Sequence, residues 1–162
     1  MMSHRSLANT YSTGVNKLVL ERQIQMIFFH SCMYILGYDD TICTDVGQTL
    51  DVNGTVDFYV VCTEARYKWA IEIARNSNKL DEHIQRFDRD RGMYRNLPVT
   101  EWVVIDFVQV EVLPAEYNIR HDYNCVYTVY WTDKDNHIII YTPNQQIPMP
   151  QLFVGDDVFT DT

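Results

Sequence analysis

The chain has 162 residues, 46% of them hydrophobic, and a formal charge of −9 from 13 Lys and Arg against 22 Asp and Glu. That length and apolar content imply one domain with its own core and exclude disorder, low complexity and dependence on a disulfide or metal staple. The acidic balance, with a pI near 4.8, excludes a protein that coats nucleic acid with uniform positive charge, but not one with a local basic face.

Residues 1–15 are small and polar and read as a flexible tail, leaving 16–162 as a single domain. From Asn16 or Lys17 to Leu36, the residues Leu20, Ile24, Ile27, Phe28 and Tyr34 or Ile35 recur at helical spacing. Gly37 stands where a helix stops, which predicts one long, largely buried helix. Its apolar stretch is interrupted by Gln25, His30 and Ser31, so it falls short of a membrane span and no membrane partner is expected. Gln48 to Val52 and Thr55 to Val61 flank Asn53-Gly54, a dipeptide that accepts positive φ and predicts a hairpin. Lys68 to Ala74 reads as a strand apolar on both faces and therefore central.

Asn76, Ser77 and Asn78 offer N-caps for a short amphipathic helix from about Lys79 to Phe87, marked by Leu80, Ile84 and Phe87. Asp88 to Asn96 is charged loop. Glu101 to Val110 is the most apolar strand, and its place after strand, helix and loop predicts a βαβ crossover onto a parallel partner. Cys125 to Trp131 and His137 to Tyr141 read as a further hairpin across Thr132 to Asn136, its aromatics forming core or a face for a second copy in a homodimer. The order α, β, β, β, α, β and further strands describes an α/β domain: a mixed sheet with helices packed on it.

Cys32, Cys43, Cys62 and Cys125 are widely spaced, with no zinc-finger pattern, and read as buried free thiols of a reducing compartment. No Walker loop, GxSxG elbow or HExxH occurs, so there is no support for nucleoside-triphosphate hydrolysis, serine hydrolysis or zinc proteolysis. His30, His121 and His137 read as packing or surface residues, and Asp106 in its apolar strand as a paired group.

Acidic residues inside strands are costly unless exposed, paired or used, which singles out Asp57 and Glu72. Alternation puts Asp57 with Tyr59 and Val61 on one face of its strand, and Glu72 with Ala70 and Ala74 on one face of the next. If those strands are neighbours, the carboxylates converge beside small residues, a setting that suits Mg²⁺ and metal-activated attack of water on a phosphodiester. The alternative is a solvated Asp57 and a Glu72 paired with Arg75 or Arg86.

The segments Asn53-Gly54-Thr55-Val56-Asp57-Phe58-Tyr59, Lys68 to Arg75 (KWAIEIAR), His83-Ile84-Gln85-Arg86-Phe87, Gly92-Met93-Tyr94 and Val104-Ile105-Asp106-Phe107, in that order, resemble the C-terminal domain of Crinkler-type effectors. Those domains are similar to the restriction-endonuclease-like PD-(D/E)XK nucleases. The resemblance is densest over residues 47–107 and extends to Glu21-Arg22-Gln23-Ile24-Gln25. It implies a restriction-endonuclease-like mixed β-sheet flanked by helices, and a metal-dependent nuclease that cuts DNA, with RNA also open, using Mg²⁺ or Mn²⁺. It also implies a secreted effector acting in the host nucleus. Met1 to Gly14 has no apolar signal core, so a leader would lie outside this sequence.

Residue by residue, the resemblance makes Asp57 and Glu72 the metal-binding and catalytic carboxylates and Glu21 an accessory metal ligand. His83 and Arg86, with Arg89 and Arg91 beyond them, would contact phosphate. The motif's lysine is absent: Ala74 stands in its place, and Val108 stands where the family often has Arg. Lys79 and Arg75 are the candidates to supply the missing charge, Arg without the ability to act as a base. The rival reading is a nuclease fold without catalysis or metal that binds DNA or a host protein. Both place nucleic acid near the one basic stretch, where Arg75, Lys79, Arg86, Arg89, Arg91 and Arg95 outnumber Asp81, Glu82, Asp88 and Asp90.

Overall fold

The computed structural model describes residues 21–47, 54–111, 124–132, 138–142 and 145–148. Helix α1 (Glu21–Ile35) precedes strands β1 (Thr41–Val46), β2 (Val56–Cys62) and β3 (Tyr67–Arg75). Helix α2 (Leu80–Gln85) then leads into β4 (Glu101–Gln109), β5 (Val126–Trp131), β6 (Ile138–Thr142) and β7 (Gln145–Pro148). The strands form a 7-stranded sheet whose spatial order is the chain order. β1, β2 and β3 pair antiparallel, β3 with β4 and β4 with β5 run parallel, and β5, β6 and β7 return to antiparallel. The domain is α/β with a mixed sheet, and the predicted crossover through α2 joins β3 to its parallel neighbour β4.

Alternation along the strands builds a core on each face. Phe58, Val60, Ile71, Ile73, Val103, Phe107, Val129 and Trp131 gather beneath α1, which contributes Ile24. On the other face Tyr59, Ala70, Ala74, Val104 and Val126 pack with Leu80 and Ile84 of α2 and with Phe87, Tyr94 and Leu97 after it. Val56 joins this second group although Phe58 belongs to the first, so alternation breaks at Asp57. Ala70 and Ala74 are fully buried beside Glu72 on the α2 face of β3. That is the face their spacing predicts.

Several expectations need correction. The partner of β2 is Thr41–Val46, in the register Thr44 to Phe58 and Val46 to Val56; Gln48 to Asn53 lie outside the described residues. The chain leaves β1 at Gly47 and returns at Gly54 in backbone contact, since a Cβ on Gly47 would lie 1.7 Å from the Gly54 carbonyl oxygen. Gly54 itself has φ 128°, a conformation open to glycine.

Helix α1 is only partly covered: Ile24 and Gln25 are buried, while Met33, Tyr34 and Ile35 are exposed. Its stripe of contact runs through Ile27, Phe28 and Cys32 instead of Tyr34. The three predicted N-caps of α2 make no side-chain cap, and Lys79 occupies that position with φ 55°. Asn76 and Ser77, also at positive φ, pin the turn to β4: the Asn76 amide donates to the Phe107 carbonyl, and the Ser77 amide and hydroxyl donate to Asp106 at 2.9 and 2.8 Å. Asp106 is thus the paired strand carboxylate its apolar surroundings require. All four cysteines are free, and Cys43 is exposed, not buried. The tail, His121 and His137 lie outside the described residues, and His30 is exposed on α1. Among the described residues no helix is long and apolar enough to cross a membrane.

Candidate functional site

Glu72 lies in the middle of β3 with no exposed surface. An ionised carboxylate there needs donors for both oxygens. Helix α2 and the residue that ends it supply two, because His83 and Arg86 at i, i+3 spacing face the sheet together. His83 Nδ1 is 2.6 Å and Arg86 Nη1 3.0 Å from Glu72 Oε2. His83 Nδ1 and Arg86 Nη1 thus converge on the same carboxylate oxygen, the arginine bringing a permanent charge to it.

The third donor is the Tyr94 hydroxyl, 2.6 Å from Glu72 Oε1 and also against the Thr55 carbonyl at the entry to β2. Burial and the adjacent carboxylate push the Tyr94 phenol up, which keeps its proton in place. Burial acts to lower the Arg86 guanidinium, but Glu72, Tyr94 and Asp57 together outweigh it and hold Arg86 above its ordinary value.

Asp57 is half-buried on β2. Its Oδ1 accepts from Gln25 Nε2 of α1 at 2.9 Å and its Oδ2 from the Ile73 amide at 2.7 Å. The carboxyl is pushed up to about 6, first by burial and then by the charge of Glu72, with Glu21 adding to the rise and the Ile73 amide and His83 opposing it. The two carboxylates are therefore coupled, as expected for neighbouring strands. Since an unfolded aspartate titrates near ~3.9, the folded chain binds this proton more tightly. Its contribution to stability is complete below that value and is lost as pH rises towards about 6. A carbon-detected NMR titration is expected to give Asp57 a midpoint near 6; an ordinary aspartate midpoint would mean that burial and repulsion do not act on it.

The remaining candidates are dispersed. Glu21 is half-buried in the first turn of α1 and reaches Asp57 through charge alone, whereas Gln25, one turn on, makes the contact. Strand β3 persists through Arg75, paired with Phe107, so Arg75 alternates to the α1 face, away from Glu72. Lys79 is exposed and faces Glu82 at 3.6 Å instead of reaching back. Neither replaces the lysine missing at Ala74. His83 is 7% exposed and turned to Glu72, so it is not placed for phosphate.

The arginines beyond α2 are outside. Arg86 is partly exposed beyond its bond to Glu72, and with Arg91 and Arg95 it lines an open hollow of about 500 Å³. The loop is ordered from within: Asp88 Oδ1 accepts the amides of Asp90 and Arg91, which holds the Asp88 carboxyl below its usual range. Arg89 points to a different cleft, beside Trp69 and Trp102.

Tyr94 and Gln25 stand in the segments that carry the resemblance but were not singled out as site residues. Tyr94 lies 22 residues from its carboxylate in a loop without periodicity. Gln25 sits one helical turn after Glu21, and that i, i+4 relation was the available signal.

Magnesium does not fit this arrangement. It requires accessible carboxylate oxygens and room for several waters, whereas Glu72 is fully enclosed and both its oxygens and both of Asp57 already accept protein donors. Among the described residues no group of three or more His, Cys, Asp or Glu side chains is placed to hold a metal. What the arrangement does is fix α2 and the arginine-bearing loop to the sheet. In comparisons with known proteins, the chain matches no family model, no curated protein and no solved structure.

Proposed function

We propose that the chain is a nucleic-acid-binding module on a restriction-endonuclease-like sheet that has given up metal-dependent cutting. The observation that carries this reading is the full enclosure of Glu72 by His83, Arg86 and Tyr94. A carboxylate in the position a nuclease would use for metal serves here as the anchor of a helix. The order of helix, antiparallel β1–β3, crossover helix and parallel β4 supports the fold assignment, as do Asp57 and Glu72 on adjacent strands with Gln25 reaching in from α1. Ala74, fully buried, leaves no cation to stabilise a developing phosphorane.

The hollow formed by Arg86, Arg91 and Arg95 is the binding surface, because guanidinium groups match phosphate oxygens geometrically and keep their charge. In an acidic chain this local site gives weak, strongly salt-dependent affinity. The resemblance to Crinkler-type effectors makes the ligand DNA, with RNA a second possibility, and the place of action the nucleus of a host cell.

Plasmid DNA incubated with the protein and Mg²⁺ or Mn²⁺ is expected to stay intact, and calorimetry with Mn²⁺ to show no heat of binding. Duplex DNA followed by fluorescence anisotropy is expected to bind with an affinity that falls steeply with salt. Replacing Arg91 and Arg95 together, Arg91→Ala with Arg95→Ala, is expected to flatten that salt slope by about one unit for each phosphate left without its arginine. Metal-dependent cutting by the wild type that disappears in Asp57→Ala would overturn the non-cutting assignment.

A further inference from the structure

We infer that a cleft at the starting ends of the parallel strands receives an unpaired nucleobase, which makes single-stranded nucleic acid the preferred ligand. The inference rests on the proposed nucleic-acid binding and adds the form of the ligand. Trp69 lies two residues into β3, Glu101 begins β4 and Cys125 immediately precedes β5. With Trp102, Tyr127 and Arg89 they line a cleft of about 320 Å³. That is the small end of the ~300–1,000 Å³ range of small-molecule sites, which suits a single base and not a double helix.

The walls are aromatic. Trp69 is 38% exposed at the sheet end, in contrast to Trp131 in the core at 1%. Trp102, on the α2 side of the sheet and so on the other face from Trp69 and Tyr127, closes the far side of the cleft at the sheet end; it is backed by Phe87 in a parallel stack, centroids 4.5 Å apart and planes 4° from parallel, so its ring is held in a fixed orientation. Tyr127 is half-buried on the face of the sheet shared by Trp69.

Stacking on such rings requires a base whose faces are uncovered, which single strands offer and duplexes do not. The polar groups fit the same ligand: Glu101, exposed, accepts from base amino groups, and Arg89, exposed, supplies charge to a flanking phosphate. Arg89 belongs to the same loop as Arg91 and Arg95, so base cleft and arginine hollow are joined by one short segment.

The test compares a short fluorescent oligonucleotide, single-stranded and annealed to its complement, against wild type, Trp69→Ala and Trp69→Phe by anisotropy. The single strand is expected to bind more tightly than the duplex. Trp69→Ala is expected to weaken the single strand roughly tenfold while leaving the duplex unchanged, and Trp69→Phe to recover most of the loss. Equal binding of both forms by the wild type, or a Trp69→Ala loss that is absent or equal for the two forms, overturns the inference. If duplex binding persists and responds to Arg91→Ala, only the base cleft has failed. If the wild type binds neither form, the nucleic-acid reading has failed and the cleft with it.

Discussion

Glu72→Ala is expected to lower the free energy of unfolding by about 3–5 kcal/mol, the cost of breaking a buried ion pair from one side. The carboxylate is fully buried between His83, Arg86 and Tyr94, so its removal leaves a guanidinium, an imidazole and a phenol facing a gap with no acceptor. Glu72→Gln keeps the volume but not the charge and is expected to fall between Ala and wild type. Denaturant unfolding followed by circular dichroism checks both. A glutamate kept for metal chemistry behaves in the opposite way, because removing one of two repelling carboxylates relieves strain and stabilises the fold. A Glu72→Ala protein as stable as wild type would therefore sink the anchoring role. The same variant should lower the Asp57 midpoint, since Glu72 is one of the charges that raise it.

Gly92→Ala is expected to destabilise by about 1–3 kcal/mol through overpacking. A Cβ at this position would lie 2.4 Å from the carbonyl oxygens of both Arg86 and Asp88 and 2.6 Å from the Asp88 nitrogen. These are backbone atoms, so no side-chain rotation relieves the clash. The adjustment must move the start of the loop, where the Tyr94 amide donates to the Arg86 carbonyl at 2.8 Å. Gly92 thus acts on the Glu72 cluster at second hand, and Gly92→Ala with Glu72→Ala should cost less together than the sum of the two. Thermal unfolding of the single and double variants gives the coupling; strict additivity would mean that loop and cluster are independent.

What could be read from the residues depended on periodicity. Strand β3 is buried on both faces, yet the two-residue period of a strand alone gives Ala70, Glu72 and Ala74 a common face, and the order of strand, helix and strand gave the crossover to β4. Strand β1 escaped because only Ile42 of its residues is buried, and Thr-Ile-Cys-Thr-Asp-Val carries little apolar contrast. The Asn53-Gly54 signal drew attention to the wrong partner for β2, since turn chemistry is local and strand choice is not. Both substitutes for the missing lysine rested on distances along the chain: Arg75 needed the strand to end early, and Lys79 needed to prefer a carboxylate on another element to Glu82, three residues away. Tyr94 shows the other limit. A loop residue that completes a buried network has no periodic mark, and only the fold brings it to Glu72.

The agreement between sheet order and chain order bears on how the protein is made. Among the described strands none has to be threaded between two earlier ones, so during synthesis each of them leaving the ribosome meets the free edge of the one before it. Growth is slowed only at the joins from β3 to β4 and from β4 to β5, where a parallel pairing waits for the intervening segment to close. Each closure costs loop entropy before its contacts form. Until the first is made, the β4 edge of β3 is the surface most at risk of pairing with another nascent chain.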